Sequence, residues 1–379
     1  MKIIPYGKQY IDKQDIKFVV SALKKTKITT GNSVKNFEKK IKYFLGNKYS
    51  ICCSSGTSAL FIALQSIDLK KKDIIIMPSV NFVASYNAAK ILGAKVFLAD
   101  VDKFTGQMSP KNVLDCCNKF KLKRVKAVIT MYNGGYPYNA DKFKILKKKL
   151  KCYIIEDACH ALGASYKSRN KIYKIGSCQH SDISTFSLHP LKSITTGEGG
   201  IVTTNNKKIY EKIERLRSLG IKRNNDKHWE YDVIQNGLNL RLTDFQSALG
   251  ISQLKKIKSF ILKRKKIFNY YNDKLKDIEF IRTPNKLKDL EPSYHLYLIN
   301  LKERNKKIKE KLIKFMLKNN VMVQHHYIPI FKFKVFNDKY LGVNAKIYYN
   351  SSISLPIYYD LTIKQQNYII NLLKDFFNK

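Results

Sequence analysis

One lysine stands in a frame that the many others lack. Lys192 lies in Phe186-Ser187-Leu188-His189-Pro190-Leu191-Lys192-Ser193-Ile194-Thr195-Thr196-Gly197-Glu198-Gly199-Gly200, between an apolar run from Ile183 to Phe186 and a second from Ile201 to Thr204. A solvated surface lysine needs no such setting. An amine that condenses with an aldehyde does: it must sit on rigid backbone, be partly desolvated so that some of it is neutral, and lie within reach of the carbonyl carbon.

Two further motifs carry compatible chemistry. In Cys152-Tyr153-Ile154-Ile155-Glu156-Asp157-Ala158-Cys159-His160 an apolar run ends in two carboxylates, and the carboxyl end of a parallel strand is where open α/β sheets hold ligands. Asp157 there reads either as a helix cap or salt-bridge partner, or as an acid facing a ring nitrogen that must stay protonated. In Cys52-Cys53-Ser54-Ser55-Gly56-Thr57-Ser58-Ala59-Leu60 a short strand turns through small and hydroxylated residues into an apolar-periodic helix. Free N–H groups at a helix start, with hydroxyls beside them, make an anion site. Ser and Thr are also ordinary caps, and the spacing is not that of a Walker loop.

The elements that must position these groups alternate. Strands are expected at Ser50–Ser54, Asp73–Met77, Lys95–Val101, Lys126–Met131, Cys152–Asp157, Asp182–Phe186 and Gly200–Thr204, with helical periodicity between most of them. That alternation implies a mostly parallel seven-stranded sheet covered by helices on both faces. A helical pattern from Thr243 to about Lys276 links this α/β body to a smaller α+β one, with a helix at Lys306–Asn319, a strand around Val321–Tyr327 and a closing helix at Thr362–Phe377. The expected division is residues 1–255, including an N-terminal helical segment, and residues 256–379.

Composition excludes several classes. The 44% hydrophobic content is too high for a disordered chain. There is no apolar run of membrane-spanning length and no secretory leader at the start. Seven cysteines, two pairs of them adjacent in sequence, do not form a disulfide framework, and His and Cys do not recur at zinc spacing, so no metal is expected. A cytoplasmic location fits. The net charge of +42 invites a nucleic-acid reading, but the lysines are scattered along the chain and no nucleic-acid-binding motif accompanies them. A solvated surface, or general attraction of an anionic substrate, accounts for them.

The order of cradle, strand-end acid and lysine resembles fold-type I pyridoxal phosphate enzymes, the aspartate aminotransferase-like fold. More closely, the chain is similar to the DegT/DnrJ/StrS family of nucleotide-sugar aminotransferases over nearly its whole length. The likeness rests on Ile4-Pro5-Tyr6-Gly7, the Cys159 to Tyr166 segment, the Leu188 to Thr196 core, Gln246 to Lys256, His295-Leu296-Tyr297 and His326-Tyr327-Ile328-Pro329. His at 160 and at 189 resembles the branch that forms the altrosamine of the pseudaminic acid route.

The resemblance implies pyridoxal 5'-phosphate joined to Lys192, a ring nitrogen paired with Asp157 and a ring face covered by Phe82. His160 would stand near the ring's phenolic oxygen. Gly56, Thr57 and Ser187 would hold the phosphate, together with Asn239 of a neighbouring subunit, which makes the expected unit a homodimer with shared sites. Phe82 also reads as a core residue, and His160 as a buried histidine bonded to backbone. Tyr6, His326 and Tyr327 would contact the nucleotide-diphosphate sugar, and L-glutamate would be the amino donor. Thr130 to Gly135, Leu240 and His325 depart from the family's pattern beside the sugar pocket. A sugar dehydratase on the same fold is the rival enzyme, but relatives of that kind lack the lysine. A non-enzymatic binder of acidic polymers is the rival outside catalysis.

Overall fold

The computed structural model describes residues 3–223, 226–227, 229–285 and 288–378. Its centre is a sheet of eight strands. Seven of them are Tyr49–Cys53, Ile74–Pro78, Lys95–Ala99, Ala127–Met131, Tyr153–Asp157, Ile183–Ser187 and Gly200–Thr204. Ile74–Pro78 and Ala127–Met131 are nearly continuous apolar runs, and with Tyr153–Asp157 and Ile183–Ser187 they are buried on both faces, as parallel strands between helices must be. Pairing is parallel from Ile183–Ser187 through Lys95–Ala99, and Gly200–Thr204 joins Tyr49–Cys53 and Ile183–Ser187 antiparallel. The expectation of seven strands needs one addition: Lys339–Tyr340, from far along the chain, pairs in parallel with Phe97 and Leu98 as an eighth.

Three of these connections matter for chemistry. Tyr49–Cys53 leads into the helix Gly56–Ser66, whose cap is Ser55, its side chain accepting from Ser58 N–H. Tyr153–Asp157 and Ile183–Ser187 are neighbours in register, Asp157 opposite Thr185. Their carboxyl ends therefore deliver Asp157 and Ser187 to the same edge. Pairing Ser187 with Gly200 brings the loop between them, which carries Lys192, back over that edge.

The helix Asp244–Leu275 begins with a capping box, Thr243 with Gln246. At 32 residues it is about 48 Å long and runs unbroken through positions 255 and 256, the expected division. Asp244 accepts from the N–H groups of Gly31 (2.7 Å) and Ser33 (2.8 Å), tying the N-terminal helices to it. Beyond it, Ile281–Arg282, Tyr297–Leu301 and Ser352–Leu355 form an antiparallel sheet packed on the helices Lys306–Lys318 and Ile363–Phe377.

The expected strand at Val321–Tyr327 is not one. Val321 makes a single parallel bridge to Ile4 and Gln324 a single antiparallel bridge to Ser354. The alternating apolar pattern there serves two separate neighbours rather than one ladder. The same bridge, with Ile357 N–H donating to Tyr6 O at 3.2 Å, holds the chain's first residues against the C-terminal body and so positions Tyr6. Among the described residues no helix is long and apolar enough to cross a membrane.

Candidate active site

A cavity of about 360 Å³ opens at the carboxyl edge of the sheet. Lys192, Asp157, Ser187, Gly56, Thr57 and Phe82 line it, from four different connections of the large sheet. His160, Tyr6, His326 and Tyr327 also line it, the last three delivered by the segments that pack on the C-terminal sheet.

Two groups hold Asp157 directly. Ser85 Oγ donates to its Oδ2 at 2.9 Å, and Cys159 N–H donates to its Oδ1 at 3.3 Å. Asn81 Nδ2 in turn donates to Ser85 Oγ at 3.1 Å, which orients that hydroxyl. The adjacent Glu156 turns to the opposite face, as alternation along a strand requires. There it accepts from Tyr132 Oη at 2.8 Å and from Ser184 Oγ, and burial pushes its carboxyl above the ordinary range.

Burial lowers the Lys192 amine below the ordinary lysine value, with Cys159 and Asp157 pulling the other way. A lower value means a larger neutral, nucleophilic fraction at working pH. Imidazoles surround the rest of the cavity. His160 and His295 are held well below the ordinary range by burial first, then by the charge of Lys192. His326 is pushed down to about 3 by burial, again with Lys192 contributing. All three are therefore neutral at neutral pH. His326 Nδ1 is fixed 2.8 Å from Ser354 Oγ, and the His160 and His295 rings meet at 4.1 Å between centroids, tilted by 40°.

The helix start fits an anion. The first N–H groups of a helix have no partner inside it, and Gly56 and Thr57 are the first residues of Gly56–Ser66. A Cβ on Gly56 would stand 2.7 Å from Ser187 Cβ, so only glycine lets the helix start and the strand end approach this closely. Phe82 is 53% exposed, an aromatic face with no core to cover it.

Asn239 is the one expected site residue that this chain does not bring to the cavity. It is exposed, and its backbone bridges Ser218. Beside it Tyr231, Val233, Ile234 and Leu238 are exposed apolar side chains. Sequence reasoning missed Ser85, which touches Asp157 from 72 residues away. It also gave no role to His295, Cys159 and Glu198, which line the cavity. His295 could have been found from its place in the His295-Leu296-Tyr297 motif.

A fold-type I arrangement with a lysine, an acid and an anion cradle at one sheet edge defines an aminotransferase-like site. Residues 9–374 match the DegT/DnrJ/EryC1/StrS aminotransferase family, and the chain belongs to that family. It is 36% identical, over 100% of its own length and 98% of the relative's, to a UDP-4-amino-4,6-dideoxy-N-acetyl-beta-L-altrosamine transaminase of Campylobacter jejuni. It is 29% identical to a GDP-perosamine synthase of Escherichia coli, covering 100% of each. Among solved structures it is similar to Helicobacter pylori PseC, an aminotransferase involved in the biosynthesis of pseudoaminic acid. The TM-score is 0.91 at 29% identity, covering 100% of both chains.

Proposed function

We propose that this chain uses pyridoxal 5'-phosphate to move an amino group from L-glutamate to C4 of a nucleotide-linked 4-keto-6-deoxy sugar. The sugar we favour is UDP-2-acetamido-2,6-dideoxy-β-L-arabino-hex-4-ulose, giving UDP-4-amino-4,6-dideoxy-N-acetyl-β-L-altrosamine. The observation that carries the reading is the convergence of Lys192, Asp157 and the Gly56–Ser66 helix start on one cavity. Similarity to the Campylobacter transaminase supports the sugar.

Pyridoxal phosphate, when bound, supplies a protonated pyridine ring that takes up the electrons of a carbanion. The chain's own residues do the rest. Lys192 would hold the cofactor through its aldehyde carbon and, as a free amine, would carry a proton to and from the substrate carbon. One amine can serve as acid and base because burial has lowered its proton affinity. Asp157, oriented by Ser85 and Cys159 N–H, would pair with the ring nitrogen and keep it protonated. Phe82 covers the ring face. Gly56 and Thr57 N–H groups, with the Thr57 and Ser187 hydroxyls, hold the phosphate. Tyr6, His326 and Tyr327 meet the sugar, and the neutral imidazoles leave it without a competing charge.

Asn239 completes the cradle from a second copy of the chain, so the active unit is a homodimer. The exposed apolar side chains beside Asn239 support that pairing. The seven unpaired cysteines fit the cytoplasm.

The test is direct. Cofactor-loaded protein mixed with L-glutamate should lose its visible absorption band and gain a near-ultraviolet one. Adding UDP-, GDP- and dTDP-linked 4-keto sugars in turn should restore the visible band only with the true acceptor, whose product gains an amine at C4. A protein whose spectrum ignores glutamate is not a transaminase of this kind. Restoration by a GDP sugar alone would move the substrate to the perosamine type.

A further inference from the structure

The protons of His160 and Tyr327 can be assigned from their partners. Gly134 N–H can only donate, and it donates to His160 Nδ1 at 3.3 Å. That nitrogen therefore presents its lone pair. The ring is neutral, because it is enclosed and faces Lys192, His295 and His326, each of which opposes a second positive charge. Its single proton consequently sits on Nε2, 2.7 Å from Tyr327 Oη, and is donated to that oxygen. Tyr327 is the acceptor in this bond, so its own hydroxyl proton remains for another partner. The ring lines the cavity and lies 5.6 Å from Phe82, centroid to centroid. Burial and the facing groups Asp157, Cys159, Tyr6 and Tyr348 keep the phenol protonated.

We propose that the Tyr327 hydroxyl, rather than His160, donates to the oxygen on the cofactor ring, and that His160 is a positioning residue acting through Tyr327. The proposal rests on the functional reading above, but gives Tyr327 to the cofactor ring, in the place expected of His160, and leaves the sugar to Tyr6 and His326. His160 has both nitrogens engaged, one by Gly134 and one by Tyr327, and has no proton left to give. Gly134 lies in a turn with φ +71° and Ser293 Oγ donates to His160 O at 2.5 Å, so both the ring's anchor and its backbone are fixed.

A donor at the ring oxygen stabilises negative charge there. It thereby lowers the proton affinity of the Lys192 nitrogen once that nitrogen is conjugated with the ring. A pH titration of the visible band of cofactor-loaded protein reads this directly. Tyr327→Phe should raise the midpoint by about one pH unit, a tenfold change in proton affinity. His160→Ala should raise it less, and the double variant should match Tyr327→Phe alone, because His160 then has nothing to act through.

A midpoint unmoved by Tyr327→Phe, or shifts that add in the double variant, would overturn the assignment and leave the aminotransferase reading intact. A wild-type protein with no visible band at all would overturn both. Nitrogen-15 NMR of the unsubstituted protein gives an independent check without any variant. His160 should be the neutral Nε2–H tautomer, and a proton on Nδ1 would refute the proposal.

Discussion

At the scale of single residues, the carboxylate of Asp157 depends on a serine that no motif announces. Ser85 and Asn81 form a short relay behind it, Asn81 Nδ2 to Ser85 Oγ to Asp157 Oδ2. A hydrogen bond to a charged group contributes about 1.5–3 kcal/mol. Ser85→Ala should therefore fold normally yet weaken cofactor binding by roughly tenfold or more, measured by absorbance titration with pyridoxal phosphate. Equal affinity would mean that Cys159 N–H alone orients the carboxylate. Lys192 and Asp157 were legible in the sequence because each sits in a dense local pattern of strand, small residues and turn. Ser85 was not, because its role exists only when two strand ends distant in sequence lie side by side. Strand alternation sends the neighbouring Glu156 and Asp157 to opposite faces, and it is Asp157 that lines the cavity.

At the scale of elements, the strands with continuous apolar runs were readable, and so were the helices with capping boxes. Ser109 with Asn112, Thr243 with Gln246 and Thr362 with Gln365 mark three helix starts. The polar hairpin Ser165–Ser168 with Lys171–Lys174 was not readable, since its alternation is weak and its second strand is largely exposed. Nor was Lys339–Tyr340, two exposed residues whose pairing is decided wholly by tertiary contact. The approach of the Gly56–Ser66 helix to the end of Ile183–Ser187 yields a prediction at this scale. Gly56→Ala would put a methyl 2.7 Å from Ser187 Cβ and 3.2 Å from its Cα, forcing the helix start away from the strand. Overpacking of this kind costs about 1–3 kcal/mol. The variant should show a lower melting temperature and at least roughly tenfold weaker binding of the cofactor's phosphate, measured against inorganic phosphate as competitor. Unchanged binding would remove the helix start from the cradle.

At the scale of the whole molecule, the site is assembled from both bodies, with Tyr6, His326 and Tyr327 arriving from the C-terminal side and Lys192, Asp157 and Gly56 from the large sheet. The shared-site proposal can be tested by mixing two inactive variants. Lys192→Ala and Asn239→Ala, unfolded together and refolded, should recover activity in mixed dimers that contain one intact site, about a quarter of the wild-type value for equal mixing of two-fold dimers. No recovery, with dimers verified by light scattering, would return Asn239 to its own chain. The net charge of +42 was plain from composition, but composition carries no information on where the charges fall, and the cavity itself is walled by neutral imidazoles. One further consequence follows from the eighth strand. The open side of Lys95–Ala99 is met by Lys339–Tyr340, which leaves the ribosome long after the strand it covers. Until then the growing polypeptide displays an unmated ladder of peptide groups, a template for self-association. Proteolytic clipping ahead of Lys339 would recreate that state, so the nicked protein should aggregate more readily than the intact one in light scattering.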